Sequence, residues 1–437
     1  MGDSNDSNDL IGELKSWLDQ NWNPDMTVGE WWERLGLAGW AAPTLPEDAY
    51  GKGVSRSDAV RIAKTIAEYG ALGAPGGLGL LLAAPTIAKH GTREQIDFYV
   101  KGIVTGKHAW CQLFSEPGAG SDLAGLTTKA EKDGDKWIIN GQKVWTSGGQ
   151  IADYGMLLAR TNWDVPKHQG ISYFALNMHQ PGVEVRPLRE MTGRTLFNEV
   201  FITDAEADDF SLIGGLNNGW AVANSTLSFE REGLGAGGGG EGNPGLAIPG
   251  QVVGHLNKRA GDFVRKVRQE DTQVGGATFS AGFHLLKDLA KGNGKISDPN
   301  IRQALMKLYI LTEIARFSGL RQKALRSVGG AIAGLPNIAK LSMSDIVRLT
   351  RDLGLQILGM QGTCHAYDDK ERENLINALK NPFLPIVTES ALFAQAPPIY
   401  GGTDQIQKNI LGERVLGLPR EPSVDREVPF KDLPRNA

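Results

Sequence analysis

Helices first, then an antiparallel sheet, then long helices again: the sequence predicts an α+β protein with an N-terminal helical domain, a middle antiparallel β-barrel and a C-terminal four-helix bundle. Three observations predict it. Apolar residues recur at three and four from Ile11 to about Lys107, the period shortens to strand length over residues 108–215, and from Trp220 the helical period returns in long runs. A chain of 437 residues also exceeds what one core usually serves, so two or three packed subdomains are expected.

The elements follow in order. In residues 1–107, WWERLGLAGWAAPTLPEDAYGKG reads as a short amphipathic helix closed by a Pro and Gly stretch, and VRIAKTIAEYGALGAP repeats the helical spacing. In residues 108–215, TTKAEKDGDKWIINGQKVWTSG carries Asp133-Gly134 and Asn140-Gly141, each expected to turn a hairpin. YGMLLAR, ISYFALNM, VEVRPL and NEVFITDA continue as strand-length runs. In residues 216–437, Asp298 with Pro299 is expected to start a helix over IRQALMKLYILTEIARFSGLRQKAL, and NIAKLSMSDIVRLTRDLGLQIL is a second amphipathic run. Long helices this close favour a bundle. The stretch GLGAGGGGEGNPGLAIPG cannot maintain a helix and reads as a loop insertion near 233–250.

Composition narrows the function. Hydrophobic residues make up 41% and charged residues 22%, the balance of a soluble globular protein, and a net charge of −4 argues against a nucleic-acid surface. Cys111 and Cys364 are too few for a disulfide framework or a thiolate metal site, and the seven histidines show no H-E-x-x-H spacing, so no metal is expected. The start, MGDSNDSNDL, lacks the basic flank and apolar run of a signal peptide, and no segment holds the roughly 18 apolar residues that span a bilayer. A cytoplasmic location is the expectation. No G-x-G-x-x-G joins a strand to a helix. The P-loop is absent too, since Gly106-Lys107 precedes His108 and Gly294-Lys295 precedes Ile296.

What remains is a set of three stretches. CQLFSEPGAGSDLAGL, residues 111–126, joins a Pro-Gly turn to a Gly-Ser-Asp and presents N–H groups and a hydroxyl where a phosphate could sit; taken alone, such a stretch is more often just a sharp turn. NGQKVWTSGG sets the flat face of Trp145 near the hydroxyl of Ser147, suited to a planar heteroaromatic ring, although a core tryptophan would read the same way. Near the C-terminus, IYGGTDQIQ opens two glycines among hydrogen-bonding side chains.

In this order and spacing, SEPGAGSDLAG, DKWIINGQKVWTSG and IYGGTDQIQKNILGERVLG resemble the acyl-CoA dehydrogenase family of flavoproteins. The resemblance implies FAD held non-covalently between barrel and bundle, an acyl-CoA substrate, an electron-transfer flavoprotein as acceptor, and a homo- or hetero-oligomer, dimer or tetramer, in which a neighbour completes the flavin site. It places Gln112, Phe114 and Ser115 along the flavin ring, Gly120 and Ser121 at the pyrophosphate, and Trp145 and Ser147 against the isoalloxazine. Gln356 matches a glutamine that reaches a neighbour's flavin, and Thr403 and Gln405 match residues near the adenosine and phosphates. Arg231 and Tyr400 fall on the substrate side. The chain departs from the pattern at Leu113-Phe114, at Met360, and in lacking an Arg followed by Phe-Gly after the glycine-rich stretch; Arg302, Arg316 and Arg321 are the open alternatives for the phosphate contact.

The family reaction needs a carboxylate base in a mostly apolar pocket. Many members place it where this chain has Gly401. A second family solution sets it directly before an Arg on the helix that opens the C-terminal bundle, and here Glu230-Arg231 match. Helical arithmetic agrees, because Trp220, Ala223, Leu227, Glu230 and Leu234 fall within an arc of about 80° at about 100° per residue. An ion pair with an arginine, or a bent helix turning Glu230 to water, would explain the residue without catalysis; Glu232 points away. Gly401 keeps its backbone N–H, which in the family donates to the thioester carbonyl. The glycine also leaves room for a branched, long or ring-bearing acyl group, a steroid side chain included. Two other functions share this fold: a non-catalytic or half-site subunit of a hetero-oligomer, and a flavin oxidase or monooxygenase.

Overall fold

The structure, a computed structural model, describes residues 3–234, 247–264, 277–326, 330–423, 425 and 427–434. In the first region the helices are α1 (Asp3–Asn21), α2 (Val28–Leu37), α3 (Arg56–Tyr69) and α4 (Ala84–His90). α5 (Arg93–Gln95) and α6 (Lys101–Val104) follow, joined by a π-helical turn at Ile96–Val100. α2 begins at a reciprocal cap: Thr27 Oγ1 accepts from the Glu30 N–H at 3.2 Å, and the Glu30 carboxylate accepts from the Thr27 N–H at 2.8 Å. That start phases Trp31 and Trp32 into the core, where their indoles donate to the carbonyls of Leu72 (2.6 Å) and Gly73 (2.8 Å), so burial leaves neither N–H unsatisfied.

α7 (Gly219–Leu234) joins this same core. Val222 and Ala223 are fully buried in it, Thr226 Oγ1 lies 3.0 Å from Thr86 Oγ1, and Ser225 Oγ lies 2.8 Å from His90 Nε2. Small side chains on one face let α7 lie close against α4 and strand β5 (Ile171–Asn177). The helix expected to open the bundle therefore packs on the N-terminal layer. Residues 235–246, which carry most of the expected glycine-rich insertion, lie outside the described residues.

The middle region is one sheet of β1 (Trp110–Leu113), β2 (Lys129–Asp133), β3 (Lys136–Ser147), β4 (Tyr154–Arg160), β5, β6 (Val183–Leu188), β7 (Phe197–Asp208) and β8 (Leu212–Ile213). Its order is β6-β7-β3-β2-β4-β5-β8, mostly antiparallel, with β1 added to β4 in parallel. Among the described residues the end strands β6 and β8 do not pair, so the sheet stays open where a closed barrel was expected; β8 is only two residues long and offers little edge for closure.

Asp133-Gly134 turns the β2–β3 hairpin as expected, with Gly134 at φ +58°. Asn140-Gly141 does not turn. It lies inside β3 at a β-bulge, where Asn140 and Asp204 exchange hydrogen bonds of 3.0 and 2.9 Å. Glycine is needed there because a Cβ at Gly141 would stand 2.3 Å from Thr128 Oγ1. Gly141→Ala is expected to lower stability by about 1–3 kcal/mol, read as a fall in the urea midpoint at unchanged m-value.

The last region holds α8 (Ala277–Gly292), α9 (Pro299–Arg326), α10 (Leu335–Leu358), α11 (Asp369–Leu379), α12 (Leu384–Phe393) and α13 (Asp404–Ile410). Leu286, Leu289, Leu308, Leu353, Leu384 and Val387 form a common core for α8, α9, α10 and α12, the four-helix bundle. α9 begins at Pro299, with Asp298 Oδ1 accepting the Asn300 N–H at 2.8 Å. Among the described residues, no helix is long and apolar enough to cross a membrane.

Candidate active site

β1 delivers the chain into the loop of residues 114–126. Phe114 is buried edge-on to Tyr173, ring centroids 6.0 Å apart, so its ring is committed to the core and its backbone is what it can offer a ligand. The Ser115 carbonyl accepts the Val144 N–H at 3.0 Å, which ties the first motif to the second. Glu116 and Ala119 exchange two backbone hydrogen bonds of 3.0 Å, closing a tight turn over Pro117-Gly118. Gly120 and Ser121 stand exposed beyond it, and a Cβ at Gly120 would meet no protein atom within 4 Å. Gln112 and Ser115 are half-buried at the root of the loop.

Beneath this loop is a pair that the sequence reading missed. The Lys143 side chain is fully buried and donates to Glu116 Oε1 at 2.9 Å and to the Phe114 carbonyl at 3.1 Å. Glu116 also accepts the N–H groups of Thr127 (2.7 Å) and Thr128 (2.8 Å). Burial pushes the Glu116 carboxyl up, but the Lys143 ammonium and the threonine donors more than offset it, and it settles at about 2. A signal was present: Lys143 continues the inward alternation of Trp137 and Ile139 on β3, and a cation in an inward phase demands a partner.

Next to Lys143 the β3 ladder slips again, and there Trp145 adopts φ +62°. That region is unfavourable for a bulky residue by roughly 1–2 kcal/mol. The ring is 57% exposed and meets Phe197 edge to face, centroids 5.9 Å apart and planes at 86°. Strain that holds an aromatic out of the core, beside half-buried Ser147, fits a site for a planar ligand. With the open space at Gly120, it makes these residues a fit for a flavin and its phosphates.

The turn at Gly401 hangs on the bundle. Gly401 and Gly402 take φ +63° and +80°, and the surroundings of the two differ. A Cβ at Gly402 would stand 2.8 Å from Gln407 Nε2, while one at Gly401 would meet nothing within 4 Å. Gln407 donates to the Gly401 carbonyl at 2.8 Å and is itself held by Asn337 at 2.6 Å. The Tyr400 N–H donates to the Ala396 carbonyl at 3.0 Å, so the turn is pinned on both sides. Thr403 caps α13 through the Ile406 N–H (3.2 Å), Gln405 is exposed, and Tyr400 stands partly exposed beside Phe393. A second missed anchor is Asp404, buried against Lys340 (2.9 Å), Ser344 (2.7 Å) and Arg348. Burial raises its carboxyl, yet those three donors hold it at about 2, locking the turn to α10.

Glu230 is half-buried on α7, one helical turn beyond Thr226. Ala223 is buried as the apolar stripe requires, whereas Trp220 and Leu227 are half-buried, so Glu230 sits at the border of the buried face. Arg231 lies in α7, its side chain outside the described residues. Gln356 is exposed on α10. Of the arginines left open, Arg302, Arg316 and Arg321 are all exposed on α9, and Arg316 is paired with Glu313 at 2.7 Å; α8 contains no arginine. The first two motifs thus meet directly, the third is carried by α10, and Glu230 comes from the N-terminal layer.

Comparison with known proteins follows this division. Models of the acyl-CoA dehydrogenase N-terminal, middle and C-terminal domains match residues 12–107, 111–205 and 283–416. Acyl-CoA dehydrogenase IpdE1 of Mycobacterium tuberculosis is 33% identical over 90% of this chain and 88% of its own length. Acyl-CoA dehydrogenase FadE26 of the same organism is 29% identical over 89% of this chain and 87% of its own. Among solved structures, the Tcur3481-Tcur3483 steroid ACAD is similar with a TM-score of 0.67 at 22% identity, covering 96% of this chain and 99% of that one. The ChsE4-ChsE5 complex from Mycobacterium tuberculosis is similar with a TM-score of 0.65 at 24% identity, covering the same shares.

Proposed function

Since this chain belongs to the acyl-CoA dehydrogenase family of FAD flavoproteins, we propose that it converts an acyl-CoA thioester to its trans-2-enoyl-CoA with Glu230 as the base. Bound FAD supplies the acceptor for the hydride from the β carbon, and an electron-transfer flavoprotein is the proposed next carrier. Glu230 takes the α proton from its place on α7. The Gly401 N–H, in a turn fixed by Gln407 and Tyr400, donates to the thioester carbonyl and stabilises the charge that develops there. Trp145 and Ser147 orient the ring, while Gly120 and Ser121 receive the phosphates through backbone and hydroxyl donors. Thr403 and Gln405 serve the adenosine side. An exposed Gln356 supports a neighbouring subunit as its target, in an oligomer of like or related chains.

The observation that carries this reading is the combination of an open glycine at 401 with a half-buried carboxylate at 230. It extends to substrate class. With nothing near the missing Cβ of Gly401, a branched or ring-bearing acyl group, a steroid side chain included, has space beside the reacting carbons. Anaerobic bleaching of the flavin by a panel of acyl-CoA thioesters tests this; kcat/KM with a dye acceptor is expected to be at least about tenfold higher for ring-bearing or branched thioesters than for short straight chains. A preference for butanoyl- or hexanoyl-CoA would refute the substrate class, and no bleaching by any thioester would refute the reaction.

A further inference from the structure

The chain does not end with the family domains. The C-terminal domain match ends at residue 416, and residues 427–434 lie against the middle region, where Pro429 bridges to Pro166. The Phe430 N–H donates to the Val165 carbonyl (2.9 Å) and the Lys431 N–H to the Trp163 carbonyl (3.0 Å). Lys431 also pairs with Asp164 at 2.6 Å. These contacts seat the segment on the loop between β4 and β5.

Two side chains carry it inward. Phe430 is buried, 3.4 Å from the Arg160 guanidinium and 5.3 Å from the Trp163 ring. Arg160 is itself fully buried and, among the described residues, makes its hydrogen bonds to carbonyls and not to a carboxylate. It donates to the carbonyls of Ala124 (2.6 Å), Leu126 (3.1 Å) and Lys167 (3.0 Å). Ala124 and Leu126 end the loop that begins at Ser115. Beside them Lys167 reaches both carboxyl oxygens of Asp122 at 2.9 Å and also pairs with Asp425. Asp122 directly follows Gly120-Ser121, so the tail touches the loop through one cation on each side.

We propose that residues 427–434, with Asp425, form a strap that positions the Gly120-Ser121 loop for cofactor phosphates, with Phe430 acting through Arg160 and Asp425 acting through Lys167. The strap rests on the flavin-site reading given above. Its physical basis is desolvation. While Phe430 covers the guanidinium, its hydrogen bonds go to the three carbonyls, and the loop geometry is fixed before any ligand arrives. Uncovered, Arg160 exchanges those carbonyls for water and the loop loses its floor. Lys167, whose side chain is 8% exposed, is fixed between Asp122, itself exposed, and Asp425.

The test is FAD affinity of reconstituted apoprotein, followed by flavin fluorescence quenching, together with apoprotein Tm. Phe430→Ala is expected to raise the FAD Kd roughly 5- to 30-fold and to lower apoprotein Tm, since a buried ring is lost, and Phe430→Tyr is expected to restore both. Hydrogen exchange on the unmutated protein gives a second reading. Because coupling is reciprocal, FAD must slow amide exchange across residues 427–433 by a factor similar to the affinity change, and by more than in α2. A Kd for Phe430→Ala within twofold of the unmutated value, or exchange in 427–433 unaltered by FAD, overturns the strap while leaving the flavin site standing. An unmutated apoprotein that takes up no FAD overturns the site reading and the strap with it.

Discussion

Glu230→Gln leaves FAD bound and slows anaerobic flavin bleaching by an acyl-CoA by about 10³-fold. Glutamine keeps the size of the side chain and most of its hydrogen-bonding capacity, and Glu230 does have an interaction partner in the structure, so a packing or pairing role would survive the change in part. Proton abstraction would not survive. The half-buried position at the border of the α7 face suits this role, since a fully buried carboxylate would be inaccessible and a fully exposed one would be solvated. The measurement is stopped-flow absorbance of the flavin under excess substrate. A rate within tenfold of the unmutated enzyme places the base elsewhere.

The second large effect concerns the pair beneath the Gly120-Ser121 loop. Lys143→Met strands the buried Glu116 carboxylate without its cation, and losing one member of a buried pair costs about 3–5 kcal/mol. The N–H groups of Thr127 and Thr128 still donate, so the lower end of that range is expected. Glu116→Gln combined with Lys143→Met, which leaves no net charge behind, is expected to be more stable than Lys143→Met alone. Acid dependence distinguishes the cause. In the unmutated protein the Glu116 carboxyl lies at about 2, below its ordinary value, so its contribution is present above the usual carboxylate range and is lost as pH falls toward 2. In Lys143→Met the main partner that lowered it is gone, and protonation now relieves the buried charge. The stability gap between the two proteins, read by urea unfolding, should therefore narrow from pH 7 to pH 4. A gap that is constant or widens points to lost packing by the lysine stem instead.

The sequence revealed what depends on local pattern and concealed what depends on distant pairing. The hairpin at Asp133-Gly134 and the helix start at Pro299 are decided by near neighbours, and both occur as expected. Asn140-Gly141 has the same local chemistry as a turn, yet Thr128 pressing on Gly141 and Asp204 bonding Asn140 make it a bulge. The vacancy at Gly401 was legible because it is one residue in a motif. Its anchor, Asp404 on Lys340, spans 64 residues and follows no periodic rule. Glu116 and Lys143 each lay inside a motif that had been singled out, but their pairing across 27 residues became visible only once β3 was folded against the loop. Residues 427–434 carry no periodicity at all, and only their docking shows that they pack on the loop between β4 and β5.

The backbone of Trp145 sits where glycine is favoured, so replacing the residue with glycine would remove strain, but it would also give up the buried part of the ring and its edge-to-face contact with Phe197. Under the proposed role of Trp145 in orienting the flavin ring, an exchange to glycine at 145 would relax the backbone and loosen the cofactor in a single step.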